Sequence, residues 1–271
     1  MILFPNAKIN IGLDVIRKRP DNFHDIETIF YPLSLCDILE INKSDKFHFS
    51  VSGLSIPEGN GPNIVIKAYQ LLNDEFHLPA INVHLHKQIP AGAGLGGGSS
   101  DAAFTLLGLN DLFNLKIDNQ TLIKYALQLG SDCAFFIKNI PVFAEGRGDI
   151  FSEINITLKD FSLVLVKPGC FVSTAEAYSR VKPSIPGKSL KYSIGSLVDD
   201  WKDIVFNRFE PGIFSKFREI EQIKESLYRE GAVYASMSGS GSSVFGLFRG
   251  EVRDLHELFP GCFYWQEECG Y

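Results

Sequence analysis

The 271-residue sequence predicts an α+β fold, on three observations. Several short stretches alternate apolar and polar residues with the period of two that a half-buried strand requires. Others carry apolar residues along one helical face. The two kinds are mixed along the chain, and no internal repeat is visible.

The elements follow in order. Ala7 to Val15 alternates and reads as a half-buried strand, and Arg17 to Asn22 as a polar turn. A longer strand-like region runs from about Ile26 to Ile41. Ile64–Leu72 has the pattern of an amphipathic helix, and Ile81–His86 that of an alternating strand. The densest glycine cluster, residues 90–98, comes next, continued as a helix from Ser99 to Phe113. A second helix is expected from Asn119 to Leu129, stopped by Gly130. In the second half, strands are expected at Phe161–Val166, Ala232–Ala235 and Val244–Phe248, and a helix around Ile213–Arg229. The Pro-, Lys- and Ser-rich stretch from Val181 to Lys191 reads as a surface loop. A boundary falls near residues 150–160, dividing the chain into domains 1–156 and 157–271. That suits a length with room for about two domains.

Composition narrows the function. Hydrophobic residues make up 45% and charged residues 21%, enough for an ordinary core. The net charge of −6 excludes a general nucleic-acid or anionic-membrane binder, which needs a basic face. A local basic pocket for a small anion stays compatible with it. No apolar run approaches the ~18 residues of a membrane helix, and the N-terminus lacks the pattern of a signal peptide. Five scattered cysteines with no CxxC pair suggest reduced thiols in a cytoplasmic protein, without a disulfide framework or zinc site.

The chemistry concentrates in Pro90-Ala91-Gly92-Ala93-Gly94-Leu95-Gly96-Gly97-Gly98-Ser99-Ser100. Glycines allow positive φ, so successive backbone N–H groups can converge on an anion. A serine-capped helix start then adds its unpaired N–H groups and dipole, which together suit phosphate. The alternative is a flexible turn with no ligand. Gly92-x-Gly94-x-x-Gly97 formally matches the dinucleotide fingerprint, but no second strand ending in an acidic residue follows. A Walker A reading fails because Gly98 stands where the lysine belongs. The protein-kinase signatures are also missing.

The same loop, continued through Asp101-Ala102-Ala103, resembles the signature of the GHMP kinases, which include galactokinase, homoserine kinase, mevalonate kinase and phosphomevalonate kinase. Lys8-Ile9-Asn10 is similar to their N-terminal motif, and Ser236–Gly246 to their C-terminal glycine motif. The resemblance spans nearly the whole chain. It implies a two-domain fold with the active site in the cleft between the domains, ATP as co-substrate and Mg²⁺ as cofactor. Further segments resemble the branch whose small-molecule substrate carries a cytidine diphosphate group. They are Arg19–His24, Gly130–Phe136 and Val172–Tyr178. That branch commonly has Gly-Tyr-His where this chain has Asn22-Phe23-His24, and Asn-Asp-Phe-Glu where it has Asn207-Arg208-Phe209-Glu210.

Carried over residue by residue, the resemblance makes Asp132 the catalytic base and Lys8 the active-site cation. On the sequence alone, Asp132 would sooner be a helix N-cap and Lys8 a solvated strand residue. Asn10 lies on the same strand face as Lys8 and either reaches the substrate or makes a cross-strand hydrogen bond. Residues 90–100 would hold the ATP phosphates, with Ser99 and Ser100 donating to them. Asp101 is either a structural partner in the first helical turn or a catalytic group. Phe23 and Tyr178 match aromatic residues that stack on cytosine, with His24 and Thr174 as neighbouring contacts. The chain is expected to act as a monomer or homodimer, with neither a nucleic-acid nor a membrane partner. Two other functions compete: a kinase of the same family for a different small alcohol, and a non-catalytic nucleotide-binding protein.

Overall fold

The computed structural model describes residues 1–57 and 61–270, and its mixed strands and helices form an α+β fold. The chain builds two compact units, each made of several stretches of sequence. The first comprises Met1–Lys8, Ser34–Ala91 and Gly96–Ile140, and the second Ile9–Leu33, Gly92–Leu95 and Pro141–Tyr271. The reason is strand length. β2 (Asn6–Lys18) and β3 (His24–Cys36) are thirteen residues each, long enough to run from one unit into the other.

In the first unit, β1 (Ile2–Leu3), β4 (Ile38–Lys43), β5 (His48–Gly53) and β6 (Ile81–Lys87) form a sheet in the order β1-β4-β6-β5. β4 pairs antiparallel with β6, placing Leu39 opposite Leu85 and Ile41 opposite Val83. α1 (Ile64–Phe76), α2 (Gly97–Leu112), α3 (Asn119–Leu129) and α4 (Cys133–Lys138) pack on one another, with α2 also against β4. Each start has a local cause where a side chain caps it: Asn63 accepts from Val65 N at α1, and Asp118 from Thr121 N at α3. β6 shows a clean alternation, with Ile81, Val83, Leu85 and Lys87 buried. The first three are apolar, as a strand over a core requires. The lysine is the exception.

In the second unit, β2 and β3 form a sheet with β7 (Val142–Glu145) and β8 (Ile150–Glu153). A second sheet has the order β10-β11-β9-β12, from β9 (Phe161–Lys167), β10 (Tyr234–Met237), β11 (Val244–Arg249) and β12 (Phe263–Glu268). Five helices belong to this part of the described chain: α5 (Thr174–Arg180), α6 (Leu190–Ser193), α7 (Trp201–Ile204), α8 (Glu210–Phe214) and α9 (Arg218–Arg229). The core joins Leu13, Val15 and Ile26 to Val164, Val166, Ile220, Ile223 and Val244.

Several expectations change. The N-terminal strand is not half-buried: residues 7–15 are buried on both faces, so Lys8 is 3% exposed and lies inside the protein. The strand expected over 26–41 is two strands, interrupted at Asp37. The helix expected over 213–229 is α8 and α9, and the loop expected to Lys191 gives way to α6 at Leu190. The helix after the glycine cluster begins at Gly97, two residues before Ser99. Its N-cap is Gly96, so no serine caps it.

Candidate active site

Lys8 is buried, and its ammonium lies beside an acid. Its Nζ lies 3.3 Å from Oδ2 of Asp132, which is 36% exposed. Asp132 does occupy the N-cap position of α4, but its side chain makes no capping hydrogen bond. Its partner is Lys8. Gly96 closes the same corner, since a Cβ there would come within 3.1 Å of Lys8 Cε and 3.0 Å of the Phe136 ring. A carboxylate that reaches the surface beside a buried lysine is placed to accept a proton from a bound hydroxyl.

The glycine loop explains its own composition. Gly92, Gly94 and Gly96 have φ of +60°, +76° and +70°, and the residues between them do not have positive φ. Ala93 and Leu95 turn their side chains inward, at 2% and 1% exposure. Positive φ at every second residue is the backbone pattern that lets successive N–H groups converge on an anion. α2 then presents the N–H groups of Gly97, Gly98 and Ser99, which no helical turn can satisfy. The serine side chains behave differently from the expectation. Ser99 hydrogen-bonds the Cys133 thiol, which burial pushes up to about 12. Ser100 is fully buried, and its hydroxyl has no hydrogen-bond partner.

The second unit stitches this loop to the 236–246 loop. Ser238 Oγ donates to Gly94 O at 2.8 Å and accepts from Asn10 N at 3.1 Å, and Ser243 N donates to Ala93 O at 3.2 Å. Asn10 makes the cross-strand contact, donating from Nδ2 to Thr28 Oγ1 at 2.9 Å. Tyr178 is stacked on His24, with ring centroids 4.6 Å apart and planes 18° apart. Burial and then Lys18 hold the His24 imidazole below its ordinary pKa, so it is neutral at pH 7. Phe23 is 53% exposed and faces the Arg147 guanidinium at 5.1 Å instead of Tyr178. The turn carrying it is held by Arg19, which pairs with both Asp21 and Asp25. Thr174 Oγ1 lies 3.4 Å from Ser240 Oγ.

Comparison with known proteins settles the family. The model of the GHMP kinases N terminal domain matches residues 63–140, and that of the GHMP kinases C terminal domain matches residues 194–257. A 4-diphosphocytidyl-2-C-methyl-D-erythritol kinase of Bacteroides fragilis is 53% identical over 99% of both chains. The chain belongs to the GHMP kinases. A kinase of the same printed name from Parabacteroides distasonis is 50% identical over 98% of both chains. The crystal structure of a 4-(cytidine 5'-diphospho)-2C-methyl-D-erythritol kinase superposes with a TM-score of 0.79 at 32% identity, covering 92% of this chain and 91% of that one. A homoserine kinase from Cytophaga hutchinsonii shares the fold at a TM-score of 0.65 and 17% identity.

In this GHMP kinase, four residues around the site have roles that the sequence pattern does not assign. Asn207 donates to the carbonyls of Met237 and Gly239, at 2.7 and 2.8 Å. Glu210 accepts from Met237 N at 2.8 Å and pairs with Lys224 at 2.6 Å. Together these residues fix the second glycine loop, and their spacing within Asn207-Arg208-Phe209-Glu210 was the available signal. Arg208 pairs with Asp14 of β2 at 2.8 Å. Phe171 lies against the loop, 2.3 Å from where a Cβ on Gly92 would be. Nothing in the sequence pattern marked it.

Proposed function

We propose that this chain is an ATP-dependent kinase that phosphorylates the 2-hydroxyl of 4-diphosphocytidyl-2-C-methyl-D-erythritol in non-mevalonate isoprenoid precursor synthesis, giving the 2-phosphate and ADP. The observation that carries the reading is the Lys8–Asp132 pair, 3.3 Å apart and closed over by Gly96 at the head of α2. Full-length relatives named for this activity support the substrate.

In the proposed mechanism the backbone of Pro90–Gly98 and the first turn of α2 bind the ATP phosphates. Asp132 accepts the proton of the 2-hydroxyl as its oxygen bonds to the γ-phosphorus and the bond from that phosphorus to the β,γ-bridging oxygen breaks. Lys8, held beside Asp132, stabilises the charge developing on the transferred group. Mg²⁺ bound with ATP would neutralise phosphate charge and align the γ-phosphoryl group. Such an ion would be held chiefly by phosphate oxygens and water. Phe23 and Tyr178 supply ring faces for cytosine, with His24 offering main-chain hydrogen bonds and Thr174 and Asn10 polar contacts to the remainder. Among the described residues no helix is long and apolar enough to cross a membrane, and we place the enzyme in the cytoplasm.

The test is ADP release by the purified protein with this substrate, beside homoserine, mevalonate and galactose. Turnover with the cytidyl alcohol should exceed that with the others. Equal or smaller turnover rejects the substrate, and tight ATP binding with no acceptor phosphorylated favours a non-catalytic nucleotide-binding protein. The base site has its own check. Stacking on an aromatic ring contributes about 1–3 kcal/mol per base, so Tyr178→Ala should raise the acceptor KM by roughly 5- to 150-fold. The ATP KM should stay unchanged, and a matching rise in both would place Tyr178 outside the base site.

A further inference from the structure

Lys87 is the one residue of β6 whose inward position is filled by a charge, and it is 4% exposed. A buried ammonium costs several kcal/mol unless it is paired and its hydrogens are satisfied. It has two partners, both buried: Oδ2 of Asp37, and Oδ2 of Asp101 at 2.7 Å. The second oxygen of Asp37 accepts from Gln88 N at 2.6 Å and Ile89 N at 2.9 Å. These contacts fall on the chain entering the glycine loop and on the helix leaving it. The cluster also lies directly behind that helix's first turn, because a Cβ on Gly97 would sit 3.4 Å from Lys87 Nζ and 2.9 Å from Ile89 Cγ2.

Energetics argue that the cluster serves the loop more than the fold. Burial pushes the Asp101 carboxyl up to about 7, with Asp37 adding to the effect and Lys87 opposing it. Asp101 Oδ1 has no hydrogen-bond partner. An apolar trio of similar volume would avoid both penalties. Polar groups kept at such a cost are characteristic of sites. The loop itself is the costly element to order, since glycine loses more freedom than any other residue. Fixing both of its ends in advance lowers the entropy that a bound phosphate must offset.

We propose that Lys87 is a positioning residue for the phosphate loop: by bridging Asp37 and Asp101 it clamps the strand leading into residues 90–96 to the helix leading out of them. The inference rests on the reading of residues 90–100 as the ATP site.

The decisive variant is the double substitution Lys87→Met/Asp101→Asn. It removes one positive and one negative charge, so the formal charge behind the helix start is unchanged, and Asp37 keeps both backbone donors. Steady-state kinetics should show the ATP KM raised about tenfold or more and the acceptor KM within about twofold of wild type. Lys87→Arg, which can still bridge both acids, should recover most of the loss. An unchanged ATP KM overturns the proposal, whatever the melting temperature does, because a purely structural role would lower stability and leave both KM values alone. If the double variant does not fold, Asp101→Glu carries the same test: its charge is preserved but its carboxylate is one methylene further out. A raised ATP KM supports the clamp and an unchanged one rejects it. Wild-type protein that neither turns over ATP nor binds ADP removes the phosphate reading and this inference with it. Normal wild-type kinetics beside normal variant kinetics rejects the clamp alone.

Discussion

Asp132→Asn should lower kcat by about 10²–10⁴, the contribution of a positioned general base, with both KM values changed little. The geometry makes this a clean substitution. Asparagine is the same size, and the carboxylate is 36% exposed, so no unpaired charge is trapped around position 132 itself. Lys8 is the residue that suffers, because it is nearly fully buried and its ammonium loses the acid 3.3 Å away. Some loss of stability should therefore accompany the loss of rate. The two effects separate in Lys8→Met/Asp132→Asn, which removes the pair together: stability should recover relative to Asp132→Asn while kcat stays low. An Asp132→Asn enzyme with wild-type kcat would mean that another group takes the proton, and the role assigned to the pair would fall with it.

Much of this site was readable from the chain because its strongest constraints are local. α3 spans Asn119–Leu129 as its apolar spacing predicts, with Gly130 just beyond its end. The glycine loop was legible for the same reason, as Ala and Leu between glycines mark inward side chains between positive-φ residues. Its boundary was not. Glycine is a poor helix former, so Gly97 and Gly98 hide the true start of α2, which tertiary packing sets instead. The burial of Lys8 was equally hidden, since alternation suggests a solvated face and only the layers around β2 remove it. Lys87 is a nearer miss. It shares the parity of Ile81, Val83 and Leu85 but falls one residue beyond the alternation over Ile81–His86. The Lys8–Asp132 pair joins residues over a hundred positions apart, and no local pattern reports such a meeting. It came from the family resemblance, and the fold then supplied the distance.

The second large effect concerns the loop's backbone. Gly94→Ala should destabilise the protein by about 3 kcal/mol or more, because two penalties add. An alanine at φ +76° adopts a left-handed conformation that costs about 1–2 kcal/mol. Its Cβ would also fall 2.0 Å from Ser238 O and 3.3 Å from Gly241 O, both main-chain atoms that cannot rotate aside. The loops must separate, breaking the bond from Ser238 Oγ to Gly94 O. With roughly 2–4 °C per kcal/mol for a chain of this size, the apparent Tm should fall by about 6–12 °C. The ATP KM should rise with it. Gly98→Ala is the matched control. It lies inside the first turn of α2 with its nearest neighbour, Ile64 Cγ2, 4.0 Å from the added Cβ. There alanine relieves a helical glycine and should stabilise by about 0.5–1 kcal/mol. If ATP phosphates approach the helix start closely, that variant is more stable and yet binds ATP more weakly, a combination that damage to the fold cannot produce. Opposite shifts in Tm with a shared loss of ATP affinity would identify the loop backbone as the phosphate contact. A Gly98→Ala enzyme with unchanged ATP KM would move the contact away from that turn.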